Sequence, residues 1–198
     1  METSPEWINL LTKALNRNRK LPYARYLSLA TVTEEGKPSC RTVVYRGILE
    51  GTLTTLKVIT DVRSEKIKHL KKNNWVEACW YMPETREQFR IQGLAHAVVA
   101  SDEDAKMQDH RIRQWKQLSD AARSSFADPH PGIPKDPDWT GKKSGDGVDP
   151  SIPHENFVLL IIDPKCVDYL NLRPNPQLRA YYTLEEEKGS WNCTEVYA

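Results

Sequence analysis

Short strand-like segments separated by turn residues run through most of the chain, and this pattern constrains the fold more than any other feature. The segments are rich in β-branched and aromatic residues. They cover residues 26–33, 39–46, 53–60, 75–82, 88–100, 157–163, 166–172, 178–184 and 190–196. No Gly-x-Gly-x-x-Gly motif follows any of these strands, and no strand–helix–strand rhythm connects them. The sequence therefore predicts a mainly β, α+β fold built as an antiparallel barrel or sandwich with flanking helices.

Three segments have the periodicity of helices instead. We expect helices over residues 5–20, 64–73 and 102–125, the first of them with Ser4 as its N-cap. Residues 127–155 are rich in proline and glycine, which predicts a long loop. The 198 residues fit one domain, in which residues 1–22 form an N-terminal helical segment.

The positive charge is concentrated in the first part of the chain. Residues 1–72 contain 14 Lys and Arg against 7 Asp and Glu, whereas the remainder contains 14 against 20. The net charge of only +1 favours a local anion site over a nucleic-acid surface. We expect a cytoplasmic protein without a membrane segment, because the chain shows no long apolar run and no secretory signal. The four cysteines are far apart, so we expect no metal site.

The segment Thr60-Asp-Val-Arg-Ser-Glu-Lys66 joins a strand to a helix and is a candidate phosphate site. Ser64 occupies an N-cap position, where free N–H groups and the helix dipole attract anions. Arg63 and Lys66 add donors of positive charge at the same place. A capped surface helix without a ligand explains the segment equally well.

Two strands carry the remaining candidate residues. In Arg41-Thr-Val-Val-Tyr-Arg46, alternation places Arg41, Val43 and Tyr45 on one face and the other three residues on the opposite face. In the segment 86–93, a row of polar residues that includes Gln88 shares one face and precedes Gly93. Taken alone, the arginines fit exposed charges at an edge, and the polar row fits the solvent side of a sheet.

Together these segments resemble the FMN-binding split barrel of the pyridoxamine 5′-phosphate oxidase family, over residues 23 to 198. The resemblance implies that Arg41, Thr60, Ser64 and Lys66 bind the phosphate of FMN, with Arg63 assisting. It also implies that the strand of Arg41 lies along the flavin, and that Gln88 contacts it. An aromatic residue and an arginine ten residues apart face FMN in the family, and Tyr169 and Arg179 have this spacing. The cofactor-binding residues implied in this way are Arg41, Thr42, Val43, Val44, Tyr45, Arg46, Ile59, Thr60, Arg63, Ser64, Lys66, Gln88, Tyr169 and Arg179.

The resemblance further implies a homodimer with FMN at the interface and an oxidoreductase acting on a small molecule. The chain departs from the oxidase where that enzyme uses an Arg-x-His motif, since Leu172-Arg-Pro-Asn-Pro-Gln-Leu178 contains no histidine. The pattern therefore favours the related, less characterised branch of the family, and no catalytic residue is assigned. Two alternatives stay open, namely a non-catalytic flavin carrier or sensor and a β-barrel that binds haem or a deazaflavin.

Overall fold

Eight antiparallel strands form one continuous sheet in the computed structural model, which describes residues 4–141 and 148–198. The strands are β1 (Tyr26–Val32), β2 (Pro38–Val44), β3 (Leu56–Asp61), β4 (Trp75–Met82), β5 (Glu87–Val98), β6 (Phe157–Asn171), β7 (Leu178–Glu185) and β8 (Ser190–Val196). The helices are α1 (Glu6–Asn18), α2 (Glu65–Lys72), α3 (Ala105–Lys116) and α4 (Asp120–Ser124), and a 3-10 turn (Ser125–Ala127) follows α4. The mainly β fold predicted from the sequence is confirmed.

The long strand β6 organises the sheet because three other strands pair with it. Its first half pairs with β3, its second half pairs with β7, and β5 pairs with it along nearly its whole length. The chain after β2 reaches β3 through two backbone hydrogen bonds of 2.8 Å, from Arg46 to Lys57 and from Lys57 to Gly47. The order β1, β2, β3, β6, β5, β4 and back to β1 therefore closes a barrel, and β7 and β8 extend from it.

Alternation along the strands fills the barrel with apolar side chains. The main core includes Leu29, Trp80, Phe89 and Ile91, all of which are fully buried. Helix α1 adds Trp7, whose ring meets Trp191 of β8 edge-on at 5.4 Å between centroids. A second core, with Trp115, Phe126 and Phe157 in mutual ring contact, joins α3 and the 3-10 turn to β6.

The structure corrects several predicted boundaries. Residues 157–163 and 166–172 form a single strand, and the segment predicted to begin at 53 pairs only from Leu56 onward. The predicted helix 102–125 is interrupted before Ser119, whose hydroxyl accepts from the backbone of Ala122 and starts α4. The predicted cap Ser4 makes no cap, because Pro5 holds the N-cap position of α1.

The predicted proline-rich loop differs from the structure at its first residue, Ala127, which ends the 3-10 turn. Residues 128–141 and 148–156 contain neither helix nor strand, whereas 142–147 of the predicted loop and 1–3 of the predicted N-terminal segment lie outside the described residues. The four cysteines are free thiols. Within the described ranges, none of the helices is long and apolar enough to cross a membrane.

The outer face of the sheet carries large side chains that none of the described residues covers. Tyr26, Trp75, Tyr81 and Tyr181 occupy outward positions and each exposes more than a third of its surface. One sheet edge is open as well, since β2 pairs over Pro38–Val44 only with β1 in the described part of the chain. This edge therefore offers backbone groups to a ligand or partner.

Gly93 of β5 allows a close approach between β5 and β6. The pairing register shifts between Gln92 and Gly93, because β6 has a bulge at Lys165, next to Pro164. A Cβ atom at position 93 would lie only 2.8 Å from the carbonyl carbon of Asp163 and from Cα of Pro164. These neighbours are backbone atoms, which cannot rotate away as a side chain does.

We expect Gly93→Ala to lower the free energy of unfolding by about 1–3 kcal/mol, because the added methyl forces β5 and β6 apart. Denaturant unfolding followed by circular dichroism measures the loss. Gln92→Ala is the matched control, since its exposed side chain only donates to Glu77 and its loss should cost less than about 1 kcal/mol. Equal stability of Gly93→Ala and the wild type would show that the two strands tolerate separation at the bulge.

Candidate functional site

Arg41 projects from β2 on the same side as the buried Val43 and is itself half-buried. Its Nη1 donates to Thr31 Oγ1 at 2.7 Å and to the carbonyl oxygens of Ser39 and Leu29 at 3.0 and 3.2 Å. Its Nη2 donates to Ser39 Oγ at 2.9 Å. All these acceptors are neutral, so they fix the orientation of the guanidinium group without balancing its charge.

Lys66 lies in the first turn of α2, close to two hydroxyl groups. Its Nζ donates to Thr60 Oγ1 at 2.8 Å and to Ser64 Oγ at 3.0 Å. Ser64 stands at the N-cap position but makes no side-chain cap, because its hydroxyl donates to the carbonyl oxygen of Asp61 at 2.8 Å. The hydroxyl is therefore held beside the ammonium group rather than being used by the helix.

Arg41 and Lys66 form a half-buried pair of cations without an anionic partner among residues 4–141 and 148–198. Within the described residues neither side chain makes an ion pair with a carboxylate. Burial lowers the pKa of Lys66, and the positive charge of Arg41 lowers it further, against a small opposite effect of Asp61. Burial also lowers the pKa of Arg41. We call Arg41, Thr60, Ser64 and Lys66 the anion clamp, since together they offer charge and hydroxyl donors to one anion.

Arg63, predicted to assist at the same site, has a different set of partners. Its Nε and Nη2 bind both carboxylate oxygens of Asp61, at 2.9 and 2.7 Å. Its Nη1 donates to the carbonyl oxygen of Asp128 at 3.0 Å. The hydrogen bonds to Asp61 raise the pKa of Arg63. The structure thus directs this arginine toward the proline-rich loop and away from the cation pair.

The other residues of the Arg41 strand divide between its two faces as alternation predicts. Val43 and Tyr45 belong to the main core, where Tyr45 contacts the ring of Trp80. Thr42 and Val44 lie on the outer face, exposed and half-buried respectively.

Arg46, just beyond β2, and Ile59 on β3 complete the predicted set in this region. Burial lowers the pKa of Arg46, as does the neighbouring Arg25, and Nε of Arg46 is buried without a hydrogen-bond partner. Arg46 is therefore a second half-buried cation, near the end of β2. Ile59 packs against the second core.

Gln88 and Arg179 lie together on the outer face of the sheet, with Leu170 between them. Leu170 is paired in register with Gln88 on one side and with Arg179 on the other. Arg179 is oriented by Asp168, to which it donates at 3.0 and 2.9 Å. Leu170 is absent from the predicted set, although its position next to Tyr169 on an alternating strand indicates this face.

Tyr169 is not part of this outward group. Its ring is buried in the main core, 5.0 Å from Phe89 between centroids, and its hydroxyl donates to Glu87 Oε1 at 2.7 Å. Burial, followed by the hydrogen bond to Glu87, raises the pKa of Tyr169. The structure therefore gives this residue a packing role and brings Leu170 to the surface in its place.

Two groups among the predicted residues thus remain candidates for a ligand site. The anion clamp lies where α2 meets β2 and β3, whereas Gln88 and Arg179 lie on the outer face of β5 and β7. The clamp can bind a phosphate group, and the open edge of β2 beside it can hydrogen-bond a flat polar ring. The described residues contain no group of three or more His, Cys, Asp or Glu side chains that could bind a metal ion.

Proteins of known sequence or structure are similar to this chain. A family model described as pyridoxamine 5′-phosphate oxidase, FMN-binding domain, matches residues 4–99. A crystal structure of a pyridoxamine 5′-phosphate oxidase-related, FMN-binding protein from Nostoc punctiforme is 42% identical, with a TM-score of 0.91 and full coverage of both chains. PhzG from Burkholderia lata, with a TM-score of 0.77 over 99% of this chain and 94% of its own, is 20% identical and shares the fold.

These comparisons define the class as a split barrel of the FMN-binding type. Pyridoxine/pyridoxamine 5′-phosphate oxidase 2 of Arabidopsis thaliana is 38% identical over 173 residues, which cover 87% of this chain and 86% of the plant protein. The chain belongs to the pyridoxamine 5′-phosphate oxidase-related family, as the resemblance predicted.

We expect Tyr169→Phe to destabilise the fold by about 1–3 kcal/mol without changing flavin affinity, because it leaves the buried carboxylate of Glu87 without a donor. Thermal unfolding and flavin titration measure the two effects. Tyr181→Phe on the outer face is the control and should leave stability unchanged. A selective loss of flavin binding in Tyr169→Phe would instead place this residue at the ligand.

Proposed function

We propose that the protein is an FMN-binding flavoprotein that acts as an FMN-dependent oxidoreductase on a small molecule. The observation that carries the proposal is the half-buried cation pair of Arg41 and Lys66, which has no carboxylate partner among the described residues. Burying cations without an anion costs free energy, so a dianionic phosphate group is a favourable occupant of the clamp. Membership of a family that includes FMN-binding proteins supports the choice of FMN.

The residues of the clamp fit the phosphate group of FMN by charge and by hydrogen bonding. Lys66 and Arg41 would balance the charge, and the hydroxyls of Thr60 and Ser64 would donate to the phosphate oxygens. The open edge of β2 would hold the polar edge of the ring through backbone groups of Val43 to Tyr45 other than the N–H of Tyr45, which donates to Arg25. When bound, the flavin supplies the redox chemistry, while the protein supplies position and electrostatics.

A homodimer would explain the distance between the two groups of predicted residues. Gln88 and Arg179 lie on an outer sheet face that also exposes Tyr26, Tyr81 and Tyr181. Exposed aromatic surface of this kind is typical of protein interfaces. In our proposal the outer face of one subunit packs on its partner, and Gln88 and Arg179 complete the FMN site formed by the partner's clamp.

The chain lacks one of the features by which the oxidase holds its substrate. The Arg-x-His motif of the oxidase is absent between Leu170 and Arg179. Loss of residues that orient a substrate can lower the rate on the order of 100-fold. We therefore expect pyridoxamine phosphate to be a poor substrate.

The cofactor can be identified directly. Mass analysis of the ligand released from the purified protein by denaturation should give FMN, at one molecule per chain. Lys66→Ala and Arg41→Ala should each weaken FMN binding about tenfold to a hundredfold, because a hydrogen bond to a charged group contributes roughly 1.5–3 kcal/mol. Riboflavin, which lacks the phosphate, should bind both variants as it binds the wild type.

Lys68→Ala is the matched control for the clamp variants. Lys68 is a neighbouring lysine of α2 with an exposed side chain that pairs with Glu65 at 2.9 Å. Its removal should not change the affinity for either flavin. Equal losses of FMN and riboflavin affinity in Lys66→Ala would assign this lysine to the ring or to folding, and a protein that ignores added FMN would refute the proposed function.

The dimer can be tested by light scattering. We expect a particle of about 46 kDa, twice the 22.8 kDa of one chain. Tyr81→Glu should dissociate it, because a charge at the outer face opposes burial against a partner. Ile133→Glu, an equally apolar exposed position in the proline-rich loop, should leave the particle intact. A wild-type protein that scatters as a single chain at micromolar concentration would contradict the proposed dimer.

A further inference from the structure

Both ends of the proline-rich loop rest on the turn that carries the anion clamp. At the start of the loop, Arg63 donates to the carbonyl oxygens of Asp128 at 3.0 Å and Phe126 at 3.4 Å. At the end of the loop, the carbonyl oxygen of Asn156 accepts from the backbone N–H of Val62 at 2.9 Å, and Asn156 Nδ2 donates to Phe126 at 3.0 Å. The turn Asp61–Ser64 therefore binds both ends of the loop.

Arg63 has little remaining capacity to bind a phosphate group. Four of its five N–H donors are engaged, two with the carboxylate of Asp61 and two with loop carbonyls. The side chains of Arg63 and Asp61 are only 20% and 18% exposed. This ion pair therefore connects the turn to the loop, and we call it the Asp61–Arg63 pair. The charge of Arg63 is already balanced by Asp61.

Asp61 connects the Asp61–Arg63 pair to the anion clamp. Its carboxylate binds Arg63, while its carbonyl oxygen accepts the hydroxyl proton of Ser64. The backbone N–H of Ser64 donates to the same carbonyl oxygen at 3.1 Å, so the turn stays closed when the single hydroxyl proton of Ser64 turns to a bound anion. Opening of the turn would move Ser64 and Lys66 away from a bound anion. The anion therefore binds the closed turn in preference to the open one.

We propose that Arg63 is a positioning residue that couples occupancy of the clamp by a phosphate group to the attachment of the loop. A ligand that binds only the closed turn reduces local opening by the factor 1 + [L]/Kd, about 100-fold at a ligand concentration of 100 Kd. Because linkage is reciprocal, removal of the Asp61–Arg63 pair weakens anion binding. The inference rests on the proposed function only in taking FMN as the ligand that presents the phosphate.

Amide hydrogen exchange in the purified full chain tests this coupling. The N–H groups to follow are those of Val62 and Asp128, which are hydrogen-bonded to Asn156 and Ser125 at the two ends of the loop. In the wild type, saturating FMN should slow their exchange by up to about 100-fold, whereas riboflavin should not. In Arg63→Ala this protection should disappear at Asp128, and FMN affinity should fall at least about fivefold with riboflavin affinity unchanged.

Arg63→Lys separates positioning from direct binding of charge. Lysine keeps the positive charge but cannot hold a carboxylate in two bonds and reach two carbonyls. We expect it to behave like Arg63→Ala. If Arg63→Lys retains wild-type FMN affinity and protection, the residue acts as a cation on the phosphate and the proposal is wrong. Arg113→Ala, which removes an exposed pair with Asp109 on α3, is the matched control and should change nothing.

The remaining outcomes are also decisive. FMN that binds the wild type without slowing exchange at Val62 and Asp128 refutes the coupling and leaves the proposed function intact. If FMN does not bind, the proposed function fails, and inorganic phosphate then serves as the probe of the clamp. Protection by phosphate would support the coupling, and its absence would refute it. Should Arg63→Ala not fold, the comparison of FMN with riboflavin in the wild type decides the question alone.

Discussion

The pairing of β6 with three different strands is the constraint on which the rest of the structure depends. Its first half closes the barrel through β3, and its second half supports the hairpin of β7 and β8. The close approach at Gly93 lets β6 change partners without leaving β5. β3 ends at the turn Asp61–Ser64, and β7 carries Arg179. Because both strands pair with β6, this strand helps to position both groups of candidate residues.

The two cations of the anion clamp lower the electrostatic stability of the barrel. Arg41 is held by neutral acceptors and Lys66 by hydroxyls, so both cations keep part of their charge unbalanced while partly removed from water. Such an arrangement is unfavourable for stability by itself and favourable for anion binding. Arg63 shows the contrast, because its charge is neutralised by Asp61 and it serves attachment of the loop.

The sequence predicted those parts of the fold and site whose causes are local. The segment 60–66 could be chosen as a candidate because Thr60, Ser64 and Lys66 lie within seven residues. Alternation gave only the face of Arg41, and the family resemblance assigned its role. The continuity of β6 could not be predicted, since Pro164 normally ends a strand and is tolerated here next to a bulge. The contact between Arg63 and Asp128 could not be predicted for another reason, because Asp128 is 65 residues away in sequence. Tyr169 was assigned by spacing, but the buried Glu87 shows which face it takes.

The register of β1 and β2 has a consequence for how such a chain can change through evolution. Arg41 reaches the clamp only because its partner in the ladder is Leu29, next to the oxygen atoms that orient its guanidinium group. An insertion of one residue inside β2 would turn Arg41 outward and bring a neighbour such as Thr42 inward. Insertions in the turn between the strands leave the ladder unchanged. Among descendants of this chain, length variation should therefore accumulate at Glu34 to Lys37 and be purged from the strand itself.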